Sequence, residues 1–343
     1  MWRAVSLWLS LILLFGPAGA QTLAQLAADE SPDRLTRLKE GALREGEVRL
    51  YTSLGPEDVA ALAAVFEKKY GVRIKTWRAS SETILQRIVA ESRAGRSEFD
   101  VIETISPELE RLSREKLLQR VYSARHAEMI AQGVPAHREW ASTRMNVFTQ
   151  AYNTALVKRE DLPQRYEDLL DPKWKGKLGI ESEDALWFGA VATSLGEAAT
   201  LQLFRDIART NGLSVRKGHT LLSNLVVSGE VPLALTVYNY RIEQFKNKGA
   251  PVDWFSIGEA IALPSGLGIS IRAPHPHAAL LFYEFMLGEG QQTLASRDFV
   301  PTSKAIDTPL TKGRIRFIDP GIALDQNEKW LKLYDEIVVK QSR

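Results

Sequence analysis

The chain has 343 residues, about twice the usual length of one domain, and its 45% hydrophobic and 25% charged residues are typical of a globular protein. The 44 Lys and Arg nearly balance the 42 Asp and Glu, leaving a net charge of +2, so no broad basic field supports nucleic-acid binding. There is no cysteine, which excludes disulfides, thiolate metal sites, a cysteine nucleophile and a lipid-anchoring cysteine.

The first twenty residues have the pattern of a secretory signal peptide. Arg3 is followed by an apolar stretch, residues 4–15, and then by the small-residue cleavage site Ala18-Gly19-Ala20. The alternative, a transmembrane anchor, needs about 20 apolar residues, and this stretch is shorter. We therefore expect cleavage after Ala20 and export to a bacterial periplasm, where a large packed core replaces disulfides.

Strands and helices alternate in the first part of the remaining chain. An amphipathic helical segment, residues 31–45, is predicted to end at Gly46 and to precede the first strand. The predicted strands are residues 48–52, 72–77 and 99–102, and the predicted helices between them are residues 57–70 and 82–94. This order and spacing predict a parallel sheet with helices on both of its faces.

A second unit follows a less regular middle section. Its predicted strands are residues 147–152, a strand that starts at Ile180, and residues 231–238 and 252–257; its predicted helices are residues 185–195, 201–211, 221–228 and 242–248. Helices 277–287 and 327–339 are predicted near the C-terminus, and Gly266-Leu267-Gly268 is predicted as a turn before a strand at 269–271. Because no low-complexity linker is present, we expect strands that cross between the two units to join them.

No motif of a catalytic or cofactor site is present in the sequence. There is no HExxH, GxSxG, Walker or GxGxxG pattern, and no spacing of carboxylates singles out an acid–base pair. His275 and His277 flank a proline at a predicted helix start, which is more typical of a helix terminus than of a pair of metal ligands. We therefore expect a protein that is not an enzyme and has no resident cofactor.

Hydroxyl side chains cluster where the strands of the first unit end. Because the carboxyl ends of parallel strands meet at one edge of a sheet, we expect these hydroxyls to lie together. Ser80 and Ser81 also begin a helix, whose free amide groups suit an oxyanion, although each serine alone is equally typical of a helix cap. The residues in question are Thr52, Ser53, Ser80, Ser81 and Thr104.

A second cluster, Tyr238-Asn239-Tyr240, ends the apolar strand predicted over residues 231–238. If the strand continued, its period of two would put Tyr238 and Tyr240 on one face. Phenolates are hard donors that suit ferric iron, and phenols also hydrogen-bond anions. The alternative is an aromatic pair that packs on a helix.

Several motifs resemble those of the periplasmic solute-binding proteins of ABC importers. The most specific is the run Asp-Leu-Leu-Asp-Pro-Lys-Trp-Lys-Gly-Lys at residues 168–177, which is similar to a signature of the family-1 extracellular binding proteins related to ferric-ion binders. The other matching motifs are Tyr51-Thr52-Ser53, Phe99-Asp100-Val101, Tyr152-Asn153-Thr154, Pro276-His277-Ala278-Ala279 and Gly290-Gln291.

This resemblance implies an α/β fold of the type 2 periplasmic-binding class. Two lobes, each a mixed sheet flanked by helices, are joined by two β crossovers, which by analogy lie near residues 149–153 and 253–256. The implied division of the chain is a signal peptide at 1–20, an N-terminal helical segment at 21–45, lobe 1 at 46–144 and 253–343, and lobe 2 at 145–252.

The resemblance also implies which residues contact the ligand. They are Thr52, Ser53, Ser80, Ser81 and Thr104 from lobe 1, and Asp184, Ala185, Tyr238 and Tyr240 from lobe 2, with both tyrosines as metal ligands only if iron is bound. Asp184 has an alternative role as the cap of the helix that follows it. The family's ferric binders carry adjacent tyrosines, whereas this chain has Tyr-Asn-Tyr, and it has Ser53 near the place of a helping histidine. This departure favours a small oxyanion, or iron held together with an anion.

The function implied is that of a monomeric, periplasmic solute-binding component of an ABC uptake transporter. It would capture iron(III) or a small anionic solute between two lobes that close on it, and deliver the solute to an inner-membrane permease and its ATPase. One alternative is a binding protein that signals ligand to a membrane receptor. Another is a secreted hydrolase on the same scaffold, although no nucleophile–base pair is evident.

Overall fold

The computed structural model describes residues 21–308 and 315–342 of the chain. The predicted signal peptide, residues 1–20, lies outside the described residues. Within those two ranges no helix is both long enough and apolar enough to cross a membrane.

Helices and strands alternate along most of the chain. The strands are β1 (Glu47–Thr52), β2 (Arg73–Arg78), β3 (Val101–Ile105), β4 (Trp140–Asn153), β5 (Leu178–Glu181), β6 (Ser214–Arg216), β7 (Leu233–Tyr238), β8 (Val252–Phe255), β9 (Ala260–Ile269), β10 (Val300–Pro301) and β11 (Ile315–Phe317). The first helices are α1 (Leu23–Ala28), α2 (Arg34–Glu45), α3 (Pro56–Tyr70), α4 (Ser81–Arg93), α5 (Ser106–Arg114), α6 (Ala185–Leu195) and α7 (Glu197–Asn211). The later helices are α8 (His219–Ser228), α9 (Asn239–Asn247), α10 (Pro276–Leu287), α11 (Glu289–Ala295), α12 (Pro320–Asp325) and α13 (Asn327–Tyr334).

Short 3₁₀ helices occupy several of the connections. They are Ala124–Glu128, Ala131–Gly133, Arg159–Asp161, Tyr166–Leu170, Pro172–Trp174 and Lys340–Ser342. The predicted helix 327–339 is divided, because α13 is followed by one stretch of π-helix, Asp335–Val339.

The helix ends follow local sequence signals. Helix α2 stops at Gly46 and α3 stops at Gly71, both of which have a left-handed backbone conformation that glycine adopts without strain. Helix α3 begins with Pro56, whose missing amide hydrogen costs nothing at this position. Helix α4 is capped by Ser80, whose hydroxyl accepts a hydrogen bond from the amide of Thr83. These ends lie within one or two residues of the sequence prediction.

All eleven strands found in the described residues form one continuous mixed sheet. Its main order is β2-β1-β3-β9-β4-β7-β5-β6, with β10 and β8 paired to β4 and β11 paired to β9. Strand β1 is parallel to β2 and β3, as the βαβ pattern predicts, and β5 is parallel to β6 and β7. The two long strands in the middle, β4 and β9, pair antiparallel with each other. Strand β9 continues to β3 on one side, and β4 continues to β7 on the other, so these two strands connect two halves of the molecule.

Each half has its own apolar core. In the first half, Phe66 from α3 packs against Phe282 and Phe285 from α10. In the second half, Phe188 from α6 packs against Phe204 from α7, in a cluster that also contains residues of β5 and β7. Burial of such aromatic groups is the main favourable term in the stability of each half.

The C-terminal segment packs on the second half. The prediction assigns residues 253–343 to lobe 1, but Trp330 and Tyr334 of α13 are buried in the same cluster as Phe188. Tyr334 also donates a hydrogen bond to the main-chain carbonyl of Glu181. Helices α6 and α13 each have an apolar face, and their contact buries both faces. The lobe boundaries themselves stay a prediction.

The prediction of a turn at Gly266-Leu267-Gly268 is wrong. These residues lie inside β9 and pair with β4. A Cβ atom on Gly266 would lie 2.0 Å from the carbonyl oxygen of Ala141, so glycine is required here by close approach of two backbones and not by a turn. The pairing of β4 with β9 shifts register between Ser142 and Arg144, next to this close approach.

We predict that Gly266→Ala strongly destabilises the protein. The new methyl group meets main-chain atoms, which cannot move aside by a rotamer change, so the cost should be at least the roughly 1–3 kcal/mol of ordinary overpacking. Gly268→Ala on the same strand is the matched comparison, because its Cβ atom would meet the terminal methyl group of Leu118 at 2.9 Å, whereas the nearest main-chain atom, the carbonyl oxygen of Glu139, lies at 3.3 Å. Equal losses of unfolding free energy in urea for both variants would contradict this explanation.

Candidate functional site

The predicted ligand-binding residues of the first half lie at the carboxyl ends of β1 and β3. Thr52 is fully buried, and its hydroxyl donates to Oε2 of Glu103 at 2.6 Å while accepting from the amide of Leu54. The amide of Ser53 donates to the main-chain carbonyl of Glu103. The hydroxyl of Thr104 is buried without a hydrogen-bond partner. The hydroxyl of Thr52 is therefore engaged within the protein, whereas that of Thr104 is unpaired.

Ser80 and Ser81 lie at the N-terminus of α4, as the sequence predicts. Ser80 is exposed and acts as the helix cap, because its hydroxyl lies 3.3 Å from the amide of Thr83 and accepts from it. Ser81 is the first residue of the helix and is half-buried. The hydrogen bond of Ser80 is therefore that of a helix cap, which was the alternative to ligand binding in the sequence analysis.

A buried ion pair joins β3 to β4 on the first-lobe side of the candidate site. Arg144 of β4 pairs with Glu103 of β3, and the two side chains are only 4% and 1% exposed. The guanidinium of Arg144 also lies 5.3 Å from the ring centre of Phe299, and its Nε has no partner. Because a buried carboxylate is costly unless it is paired, Arg144 and the hydroxyl of Thr52 together stabilise the charge of Glu103.

Three titratable side chains of the second half form a carboxylate–histidine cluster, namely Glu181, Asp184 and His219. Their ligand atoms all lie within 4.8 Å of one another, an arrangement that could hold a metal ion. Glu181 ends β5, Asp184 immediately precedes α6, and His219 begins α8. The sheet places these three element ends at one edge, since β5 lies between β6 and β7.

Hydrogen bonding in this cluster is incomplete. Nε2 of His219 lies 3.2 Å from Oδ1 of Asp184, and Glu181 accepts a hydrogen bond of 2.7 Å from the amide of Gly218. Oδ2 of Asp184 and Nδ1 of His219 are buried without a partner. Asp184 makes no side-chain capping bond to α6, so its predicted alternative role as a helix cap is not seen. Ala185 is buried at the start of α6 and offers only main-chain groups.

The surroundings raise the pKa of two residues of the cluster, Glu181 and His219. Burial raises the pKa of Glu181, and the neighbouring charge of Asp184 raises it further. Burial lowers the pKa of His219, but the charge and hydrogen bond of Asp184 and the charge of Glu181 outweigh burial, so that this pKa is raised overall. Glu181 and His219 therefore hold protons more readily than the free side chains, and a cation would compete with those protons.

Two stacked tyrosines connect this cluster to the first half. The ring of Tyr238 lies 4.0 Å from that of His219 and 6.0 Å from that of Tyr240, centre to centre. Tyr240 in turn stacks at 4.0 Å on Phe299, the same ring that Arg144 covers. The rings therefore form a continuous series from the carboxylate–histidine cluster to the buried ion pair.

The strand argument for the two tyrosines is wrong, although both lie in one series of rings. Strand β7 ends at Tyr238 and α9 begins at Asn239, so Tyr240 lies in the first turn of a helix. Burial raises the pKa of both Tyr238 and Tyr240. The charge of Asp184 raises the pKa of Tyr238 further, and the charge of Arg144 acts in the opposite direction on both tyrosines without outweighing burial. Both phenols are neutral at ordinary pH, and either could bind a metal ion only by releasing its proton.

Sequence reasoning missed five residues of this region. They are Glu103, Arg144, Glu181, His219 and Phe299. Glu103 and Glu181 sit at otherwise apolar strand ends, and His219 follows a glycine at a helix start. These local signals could have nominated three of the five, whereas Arg144 and Phe299 are identified only by their tertiary partners.

Comparison with known proteins assigns the chain to a family. Residues 61–312 match the family described as bacterial extracellular solute-binding protein. The chain belongs to this family. The predicted resemblance to periplasmic solute-binding proteins of ABC importers is thereby confirmed.

Individual relatives agree with this assignment. The chain is 26% identical over 322 residues to iron uptake protein A1 of Synechocystis sp., covering 87% of this chain and 86% of that one. Iron-bound HitA from Pseudomonas aeruginosa matches with a TM-score of 0.74 at 23% identity, over 85% of this chain and 99% of that one. AfuA from Actinobacillus pleuropneumoniae, bound to fructose-6-phosphate, matches with a TM-score of 0.75 at 21% identity, over 86% and 99%. The α/β, two-lobed periplasmic-binding fold is therefore confirmed.

We predict that Glu103→Gln destabilises the protein by about 3–5 kcal/mol, because it leaves the buried Arg144 without a counter-charge. Glu259→Gln is the matched control, since its pair with Arg316 is 42% exposed on both sides and should contribute about 1 kcal/mol or less. Urea unfolding of both variants measures the difference. A loss for Glu103→Gln no larger than that of the control would contradict the role given to the ion pair.

Proposed function

We propose that this protein is the periplasmic binding component of an ABC uptake transporter that captures iron(III) between its two lobes. The observation that carries the proposal is the carboxylate–histidine cluster of Glu181, Asp184 and His219, with the phenol of Tyr238 stacked beside it. A relative that covers most of the chain is named an iron uptake protein, and its function is the precedent for the proposal.

The donor set suits a hard, highly charged cation. Two carboxylates, one imidazole and one phenol supply oxygen and nitrogen ligands, and no cysteine competes with them. The unpaired Oδ2 of Asp184 and Nδ1 of His219 show that the cluster has hydrogen-bonding capacity which the protein does not use. A cation would also relieve the repulsion between the two carboxylates.

Charge balance favours a cation over an anion. Glu103 is paired with Arg144, whereas the two buried carboxylates of the cluster, Glu181 and Asp184, share one nearby basic group in the cluster, His219. An anion would be repelled by the two carboxylates, and the charge of His219 alone does not offset this repulsion. Iron(III) instead adds the positive charge that the site lacks.

A small anionic solute, bound alone or together with iron, is the second candidate. It is favoured by the unpaired Nε of Arg144 and the unpaired hydroxyl of Thr104, which lie on the first-lobe side of the cleft. A structural relative, AfuA, is described with fructose-6-phosphate bound. On this proposal Thr52, Ser53, Ser80 and Ser81 would line the same side, as predicted from the sequence.

The remaining parts of the proposal come from the sequence, and family membership supports them in outline. Export relies on the signal peptide with cleavage after Ala20, and the protein works as a monomer in the periplasm. It delivers solute to an inner-membrane permease and its ATPase, with lobe 1 at residues 46–144 and 253–343 and lobe 2 at residues 145–252, except that β8 and α13 pack with the second half. A binding protein that signals to a membrane receptor would close on its ligand in the same way. Genes for a permease and an ATPase next to the gene of this protein would favour transport over signalling. Turnover of a phosphate ester would instead revive the hydrolase alternative.

Titration with ferric nitrilotriacetate tests the iron proposal. We expect a visible phenolate-to-iron charge-transfer band that is lost in Tyr238→Phe, and at least about tenfold weaker binding in Asp184→Asn, because loss of outer partners alone costs that much. Tyr152→Phe, a buried tyrosine of β4 in the same half, is the control and should keep the band. A thermal shift with phosphate esters or carboxylates but none with iron would select the anionic candidate.

Iron binding should also depend on pH through His219. Protonation of its ring, which Asp184 and Glu181 favour, opposes metal binding, so affinity should fall as the pH falls through a pKa above the ordinary 6.5. We expect His219→Gln to bind more weakly and to lose this part of the pH profile. His137→Gln, which alters a histidine paired with Glu110 in the first half, should keep it. An unchanged profile in His219→Gln would exclude this histidine as a ligand.

A further inference from the structure

A second set of contacts joins the two halves beside the candidate site. Helix α9 belongs to the second half, since Ile242 is buried with Val237 and Val252. Its outer turns touch the start of α3 and the segment after α11, which belong to the first half because Val59 and Phe299 are buried in that core.

The buried part of this contact is a three-residue network. Asp58 of α3 is only 2% exposed and pairs with Arg297, Oδ1 to Nη2, at 2.8 Å. Gln244 of α9 is 6% exposed; its Nε2 donates to Oδ1 of Asp58 at 3.3 Å and to the carbonyl of Arg297 at 2.9 Å. An amide from one lobe thus satisfies two acceptors of the other, and separation of the lobes would expose all of them to water.

The exposed part of the contact adds two polar pairs. Lys248 lies 3.3 Å from Glu57, and the side-chain amide of Asn247 donates to both carboxylate oxygens of Asp298 at 3.1 and 3.2 Å. Solvent screens such pairs, so they contribute less than the buried network. They nevertheless continue the same line of contact along α9.

This contact is continuous with the candidate site. Tyr240 and Gln244 are four residues apart on α9 and so share one face of the helix. The residues that they touch are also neighbours, because Tyr240 stacks on Phe299 and Gln244 bonds to Arg297. Opening of the cleft at the tyrosines therefore requires these polar contacts to break as well.

We propose that these residues form an interlobe latch which holds the two lobes together in the absence of ligand. The latch consists of Glu57, Asp58, Gln244, Asn247, Lys248, Arg297 and Asp298. Because a ligand that contacts both lobes binds the closed state, the latch raises the apparent affinity by increasing the fraction of closed molecules. This inference depends on two-lobe closure and not on the identity of the solute.

The test is a distance measurement on the ligand-free protein. The chain has no cysteine, so spin labels attach only at Leu43→Cys in α2 and Leu221→Cys in α8, which are 57% and 46% exposed. The latch variant is Gln244→Glu, which keeps the size of the side chain and sets a carboxylate against Asp58. Lys246→Gln on the same helix is the control, because Lys246 pairs with Asp253 inside the second half.

We expect Gln244→Glu to shift the ligand-free distance distribution toward a more open population, while Lys246→Gln overlays with the parent protein. Gln244→Ala, which removes the hydrogen bonds without adding a charge, should show a smaller shift in the same direction. Distributions for both Gln244 variants that are identical to the parent would overturn the latch. Since no solute is added, a failure of iron binding leaves this result unaffected.

Discussion

The pairing of β4 with β9 is the constraint on which the remainder of the molecule depends. These two long strands belong to both halves, so they turn two α/β units into one continuous sheet. Their backbones approach so closely at Gly266 that no side chain fits there. The register shift beside this contact ends at Arg144, and a bulge of this kind re-aims the side chain that follows. The register shift between β4 and β9 therefore sets the direction of the Arg144 side chain, and so its pairing with Glu103.

The ion pair in turn determines the electrostatics of the cleft. Arg144 is paired with Glu103 on the first-lobe side, whereas Glu181 and Asp184 on the second side share one basic group within their cluster, His219. Burying unbalanced carboxylates is unfavourable. If the solute is a cation, as proposed above, its charge would remove this cost, and part of the binding energy would come from relief of the repulsion between the two carboxylates.

Local signals predict most of the helices and strands, because helix ends such as Gly46 and Gly71 depend on nearby residues alone. The helices α1, α5, α11 and α12 were not predicted as separate helices. The error at Gly266 has a clear cause: glycine serves both turns and close backbone contacts, and only the partner strand distinguishes them. The side chains of Glu103 and Arg144 meet across 41 residues of sequence, so their pairing depends on strand register. The tyrosines were found from their chemistry, whereas the helix predicted over residues 242–248 begins at Asn239, so the sequence prediction left Tyr240 outside it.

The contacts of α9 separate two contributions to affinity that a single binding constant combines. Gln244 bridges to the first lobe without reaching the carboxylate–histidine cluster, so its contribution concerns the fraction of closed molecules. Asp184 and His219 contact each other within the second lobe, so their contribution concerns the chemistry of the solute. A change at Gln244 should consequently alter the affinity for every solute by one common factor, whereas a change at Asp184 should discriminate between cations and anions. Tyr240 is the residue that belongs to both groups, since it stacks on Tyr238 and on Phe299.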